Sequence, residues 1–467
     1  MEPKGKKLIK DIFVFGLGSV GSRLILFFLV PLYTNFMTKA EYGTADLVFT
    51  LAQIIIPIMS VTIFDAVLRF GLIKANKPED VLLCAFTVLG AGTAALVIIT
   101  PLFSLYPAVS EWKWYLCCYS ALSMGVFIEL NYLKVQDRNF LYSLASIAQT
   151  LVLAVMNIIL ISKYNLGVKG YLLSNIIAGA FTFTAIFIVG RFGRALSKAR
   201  LKKELLHEML IYSAPLIINN ISWWVIHSSD KIMLQLMLST SALGIYTVAT
   251  KIPSLINTFI AIFSQAWGLS AIKEIEETED TRFYTEVFSL YCALAFVAAA
   301  VLISVTKPFM KIYVGEDFLT AWRYVPLLLF SAVFSAVSAF YGSMYGALKK
   351  STNNMRTTLA AAILNIVLNF VFIRICGIWG AVIGTAAAYL AVALLRACDV
   401  QRFIKIDIAW GSFAVSSLLI LLQALAVSLD IAPVAVSAVA VAGVVVLNRK
   451  TLRSLSVKLK TAHEVKQ

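Results

Sequence analysis

The sequence predicts an all-α membrane protein crossing the bilayer about fourteen times, and three observations predict it: composition, the spacing of long apolar runs, and the placement of positive charge. Of 467 residues, 60% are hydrophobic and only 14% are charged, against about a quarter charged in ordinary soluble domains. Mean hydropathy is +0.86. A water-soluble fold is excluded on those grounds. A net charge of +15 would point to nucleic acid in a soluble protein. In a membrane protein basic residues collect in cytoplasmic loops, so the charge reports orientation and implies no nucleic-acid partner.

Apolar stretches of about twenty residues, enough to cross a hydrocarbon core as helix, recur along nearly the whole chain. Residues 1–11 are basic, and the apolar run 12–36 that follows is too long for a signal-peptide core and has no small-residue cleavage site, so it reads as a permanent span. Further spans fall at 43–68, 81–103, 114–133, 141–162 and 168–190. A basic linker, 191–208, separates this lobe (1–190) from a second (209–400) with spans at 209–237, 243–270, 286–306, 322–347, 357–375 and 379–398. Two additional spans, 408–428 and 431–448, occupy 401–448, and a basic tail runs over 449–467.

This parse places 29 of the 40 lysines and arginines on the side of the N-terminus and eight on the other, led by Lys307, Lys311 and Arg323. Both termini are therefore expected in the cytoplasm. Arg23, Lys231 and Lys251 stay inside spans. The six cysteines show no CxxC spacing and fall mostly in apolar runs, so neither a metal site nor a disulfide framework is expected.

The two six-span halves resemble each other. Glu41-Tyr42-Gly43-Thr44-Ala45 opens the second span and Ala242-Leu243-Gly244-Ile245-Tyr246 the eighth. Asn157-Ile158-Ile159 leads into Gly167-Val168-Lys169-Gly170, as Asn365-Ile366-Val367 leads into Gly377-Ile378-Trp379-Gly380. An even number of spans per repeat gives parallel repeats related by an axis along the membrane normal, with a central cavity between two lobes.

These segments, with Ala66-Val67-Leu68-Arg69-Phe70 and Gly244-Ile245-Tyr246-Thr247-Val248-Ala249-Thr250-Lys251-Ile252, resemble the polysaccharide-type flippases of the multidrug, oligosaccharidyl-lipid and polysaccharide exporter superfamily. Most telling is Leu364-Asn365-Ile366-Val367-Leu368-Asn369-Phe370 running through Gly377 to Thr385. The resemblance covers essentially the whole chain; Arg374-Ile375-Cys376 departs from it where relatives often carry proline. It implies two lobes around a V-shaped cavity that alternates between the sides of a bacterial inner membrane. The implied cargo is an undecaprenyl-pyrophosphate-linked glycan for O-antigen, capsule or exopolysaccharide. The implied partners are membrane lipids and polysaccharide polymerase or assembly proteins.

Charged side chains cost about 2.5–3.5 kcal/mol at the bilayer centre, so those inside spans face a cavity or a partner. Arg23, Lys231 and Lys251, with Arg69 at the end of the second span, are the candidates for holding an anionic headgroup. Asp65, Glu129 and Asp230 are candidates for coupling to a proton or sodium gradient or for structural pairing. Asp65 and Arg69 stand four apart, the spacing of a local ion pair; Asp230 and Lys251 lie at similar depth. Lys231 is turned about 100° from Asp230. Pro31, Pro57, Pro215 and Pro253 interrupt backbone bonding within spans.

Two motifs mislead. Gly16-x-Gly18-x-x-Gly21 matches a dinucleotide-binding string but lies in an apolar span with no preceding strand, and the sequon Asn220-Ile221-Ser222 lies inside span seven. The acidic run 274–280 reads as a solvated surface. No nucleotide loop, carboxylate pair or metal-ligand cluster is visible, His207, His227 and His463 are far apart, and the expectation is a transporter without cofactor rather than an enzyme. A peptidoglycan-precursor (lipid II) flippase and a cation-coupled multidrug exporter of the same superfamily are the alternatives.

Overall fold

The structure is a computed structural model that describes residues 21–73, 75–260, 263, 267, 281–348 and 350–453. Gly16 and Gly18, the acidic run 274–280, and the end of the basic tail lie outside the described residues. Every regular element among the described residues is helical. Eleven helices are long and apolar enough to cross a membrane, and three shorter apolar ones, Gly21–Phe36, Thr240–Ala249 and Pro433–Leu447, fall where further spans are expected. Together they match the fourteen spans of the sequence in number and order.

In chain order the helices used below are α1 (Gly21–Phe36), α2 (Lys39–Met59), α3 (Ile63–Gly71), α4 (Pro78–Ile99), α5 (Lys113–Val135), α6 (Asn139–Asn157), α7 (Gly167–Val189) and α8 (Lys203–Met237). They continue with α9 (Thr240–Ala249), α10 (Thr281–Tyr313), α11 (Val325–Ala347), α12 (Ser351–Cys376), α13 (Ile378–Val400), α14 (Trp410–Ser428) and α15 (Pro433–Leu447). Local chemistry sets several starts. Thr38 and Glu41 form a reciprocal capping box on α2, which satisfies two orphan N–H groups. Proline opens α4 and α15, where its missing N–H costs nothing.

The chain divides into two compact units. One runs to Gln235 and includes Ser239–Gly244; the other holds Leu236–Leu238 and everything from Ile245 onward. The first unit thus takes in the basic linker and nearly all of α8. Its core joins Ile63, Ala66 and Val67 of α3, Leu82 and Ala85 of α4, Ile128 and Tyr132 of α5, and Leu205 and Met209 of α8. The linker is fastened to this core: Asp80 pairs with Lys202 at 2.9 Å and accepts the Arg200 backbone N–H at 2.8 Å.

Small residues set the closest approaches. A Cβ on Gly43 would sit 1.9 Å from the Thr240 carbonyl oxygen, and one on Gly244 would sit 2.1 Å from that of Lys39. The two glycines the sequence pairs as equivalents therefore pack against each other reciprocally. In the second unit Gly380 lies against the Phe372 backbone and Gly384 against Asn369, so α12 and α13 close to backbone contact. All six cysteines are free thiols.

Candidate functional site

The site of the first unit is built on two helix faces. On α2, Tyr42, Asp46, Phe49, Gln53 and Pro57 recur at helical spacing and share one side. On α8, Asn220, Trp223, Trp224, His227 and Lys231 do the same. Side chains bridge the two. Lys231 Nζ pairs with Asp46 Oδ2 at 2.8 Å, with only 17% and 10% of the two side chains exposed, and the Trp224 indole N–H donates to the Thr50 carbonyl at 2.9 Å. The offset of Lys231 from Asp230 carries it to Asp46, while Asp230 accepts the Lys231 backbone N–H at 2.9 Å.

Tyrosines enclose the acid. Tyr33 and Tyr42 stack at 5.5 Å, Tyr171 meets Tyr33 edge-on at 4.9 Å, and Phe49 links Tyr171 to Tyr119 at 5.5 and 4.5 Å. Farther along the same faces opens a cavity of about 430 Å³. Rings dominate its wall: Phe64, Tyr119, Phe127, Trp223, Trp224 and His227, with the amides of Gln53 and Asn220 between them. Among the described residues no lysine, arginine or carboxylate lines it. Trp223 and His227, one helical turn apart, lie parallel at 5.7 Å and 9°. Pro57 has no N–H to give the Gln53 carbonyl, so the helix leaves that acceptor without its usual partner at the cavity wall.

Below the cavity the helix breaks. Val61 and Thr62 take positive φ of 50° and 49°, a conformation that costs a β-branched residue about 1–2 kcal/mol. Three contacts hold it there. Ser60 Oγ accepts the Thr62 N–H at 3.2 Å, Thr62 Oγ1 donates to the Ser213 carbonyl of α8 at 2.9 Å, and Gly92 leaves room for the Met59 carbonyl, 2.1 Å from where a Cβ would stand. A strained break over-determined by its surroundings is the usual mark of a working element.

The other sequence-predicted residues are distributed as follows. Arg23 is exposed on α1. Asp65 stands in the first turn of α3 and Arg69 in its last; the pair expected from their spacing does not form among the described residues. The break at residues 60–62 makes α3 a separate short helix, so each residue complements the end of the dipole nearest it, and Lys134 is the charged neighbour of Asp65. Glu129 is fully buried, and neither carboxyl oxygen finds a hydrogen-bond partner among the described residues. Lys251 lies in the second unit, in the turn after α9, half-buried.

Sequence reasoning missed Asp46, which stands three residues inside the expected second span and meets the same rule that selected the others. It also missed Arg396, which is 3% exposed. Its Nε donates to Thr357 Oγ1 at 3.2 Å, Nη1 to the Ser338 carbonyl and hydroxyl at 2.9 and 3.2 Å, and Nη2 to Asn354 Oδ1 and Thr358 Oγ1 at 3.1 and 2.8 Å. Every guanidinium nitrogen is engaged, so this residue ties α11, α12 and α13 together and has no donor left for a ligand.

The fold defines a multi-pass helical membrane protein. Solved structures share that fold. A lipid II flippase, MurJ in an inward closed conformation, superposes with TM-score 0.72 at 12% identity, covering 96% of this chain and 99% of that one. The Vibrio cholerae MATE transporter VcmN superposes with TM-score 0.60 at 13% identity over 86% and 98%. Residues 8–268 match the family described as polysaccharide biosynthesis protein, and the chain belongs to that family. It is also similar to the Lsg locus putative protein 1 of Haemophilus influenzae, 20% identical over 337 residues, which cover 70% of this chain and 81% of the relative.

Proposed function

We propose that this protein is a flippase that moves an undecaprenyl-pyrophosphate-linked oligosaccharide from the cytoplasmic to the outer leaflet of a bacterial inner membrane by alternating access. The observation that carries this reading is membership of the polysaccharide biosynthesis family over residues 8–268. The fold, shared with flippases and transporters, supports transport rather than catalysis. The excess of Lys and Arg on one side of the spans supports cytoplasmic termini.

In this reading the anionic headgroup is held by Arg23, Lys231, Lys251 and Arg69, since a pyrophosphate in a low-dielectric passage needs donors with charge. Lys231 then exchanges Asp46 for phosphate oxygen during the cycle. Glu129 takes up and releases the coupling proton, because a carboxyl buried without partners is far cheaper to hold neutral than charged. No cofactor takes part; a polymerase or assembly protein receives the product.

Reconstitution tests this directly. Proteoliposomes holding the purified full chain and a fluorescent polyprenyl-pyrophosphate oligosaccharide are expected to show protein-dependent loss of label accessibility on one face. No transfer above empty vesicles for any glycan offered would overturn the reading. The MurJ likeness favours lipid II as the second cargo, and the same vesicles loaded with it separate the two.

A further inference from the structure

We infer that the aromatic cavity of the first unit is a sugar-stacking subsite, which receives a neutral sugar ring of the cargo while the pyrophosphate is held elsewhere. This rests on the flippase reading and adds to it where the glycan itself is touched.

Charge decides first which part of a glycolipid belongs here. The wall carries no lysine, arginine or carboxylate among the described residues, so it offers nothing to neutralise a phosphate. A prenyl tail would need no amides. What remains is a hydroxylated, uncharged moiety, and the wall fits it. A pyranose presents C–H bonds on its faces and hydroxyls around its edge. It therefore calls for flat rings above or below and adjustable donors and acceptors at the side.

Both are present. Trp223 and His227 form one flat wall, parallel within 9°, and Tyr119 lies on the wall supplied by α5. Trp224 is fixed by its bond to Thr50, so the cavity holds its shape before a ligand arrives, which reduces the ordering cost of binding. The side-chain amide of Gln53 is exposed and makes no hydrogen bond among the described residues. Asn220 donates to the Leu216 carbonyl at 3.1 Å and keeps its own oxygen as an acceptor. A volume of about 430 Å³ lies within the range that holds small organic ligands, and so does the mix of many rings and few polar groups.

A ring-lined cavity can also hold an organic cation through its π faces. The two amides favour the sugar, and the experiment separates the two ligands. Full-length protein in nanodiscs is titrated with farnesyl pyrophosphate, with farnesyl pyrophosphate carrying one glucose, galactose or N-acetylglucosamine, and with ethidium. The wild type is expected to bind at least one sugar-bearing probe tenfold or more tightly than the sugarless one. Trp223→Leu and Gln53→Ala are expected to remove most of that difference while leaving farnesyl pyrophosphate affinity unchanged, and Trp223→Phe to retain it.

Equal wild-type affinity for sugarless and all sugar-bearing probes overturns the subsite, as does equal weakening of both by Gln53→Ala, whose exposed side chain leaves folding intact. Ethidium binding that Trp223→Leu abolishes, with sugar discrimination intact, assigns the cavity to cations instead. Failure of the wild type to bind any prenyl pyrophosphate defeats the flippase reading itself and is distinct from these results.

Discussion

The two units treat buried charge in opposite ways. In the second, Arg396 of α13 spreads one cation over five neutral acceptors on two neighbouring helices, and nothing is left unbonded on its fork. In the first, Lys231 meets its charge partner at a single contact, Glu129 meets none among the described residues, and the helix beside them is broken by two strained residues. A satisfied polar network rigidifies, whereas an ion held by one partner can trade it for another in a single exchange. The difference teaches that the first unit holds the groups able to change partner, and the second a frame.

The comparison breaks most visibly at Arg396. Arg396→Ala leaves the oxygens of Ser338, Asn354, Thr357 and Thr358 without their donor in a buried site, at about 1–3 kcal/mol for each group left unsatisfied. Loss of folded protein in detergent is expected, read as a collapsed monodisperse peak and a melting temperature lowered by many degrees. Arg396→Lys keeps the charge but not the fork and should fall between. A variant that melts like the wild type would show that the network is not the frame of the second unit.

The ion pair of the first unit gives a smaller effect with a specific signature. Removing one partner of a buried pair strands the other charge, at about 3–5 kcal/mol, while replacing both with neutral groups is often close to neutral. The side chains are 17% and 10% exposed, so the lower end is expected. Asp46→Asn and Lys231→Met should each lower stability by about 3 kcal/mol, and the double variant should recover most of it. If the double variant loses the sum of the two single losses, the pair carries no coupling energy. Transport should stay lost in the double variant, since the proposed exchange of Asp46 for phosphate needs the ammonium.

How much of this was legible in the sequence follows from what each feature depends on. The spans were, because apolar length is local. So was the repeat: Gly167 and Gly377, the two glycines with positive φ among the described residues, stand at matching places in the paired motifs. The reciprocal packing of Gly43 on Gly244 falls on the other motif pair. Arg396 was not, because two residues from the end of the expected span 379–398 it reads as a loop charge that sets topology. Only tertiary packing makes it a buried tie. Nor was the cavity, since Trp223, Trp224 and Phe127 in an apolar run look the same whether they face lipid or line a pocket. Pro57 marked the second span as irregular, yet the break came at Val61 and Thr62, residues whose branching argues against that conformation.

Glu129 carries a prediction about activity more than about stability. Its oxygens have no hydrogen bonds among the described residues to lose, so Glu129→Gln, equal in shape and neutral, exchanges one unsatisfied polar group for another and should shift melting much less than the Arg396 and Asp46 variants. Transport in vesicles should then no longer respond to an imposed proton gradient. A variant whose flux still follows the gradient removes Glu129 from coupling and leaves it a buried acid of the core.

The smallest effect lies at the break itself, and it tests whether strain there is stored or merely tolerated. Val61 sits at φ 50°, where glycine has no Cβ penalty, so Val61→Gly relieves about 1–2 kcal/mol. It also loses about 0.5–1 kcal/mol to the freer unfolded chain. These two terms leave a gain between zero and about 1.5 kcal/mol, and the lost packing of the Val61 side chain against the core of the first unit offsets part of it, so melting should move by no more than a degree or two for a protein of this size. Because the strain belongs to this state, relieving it deepens the well in which the Thr62 bond to Ser213 is made. Transport should slow in the same variant. A faster Val61→Gly would mean that the break is the hinge's bent resting form and that flexibility, not strain, limits the cycle.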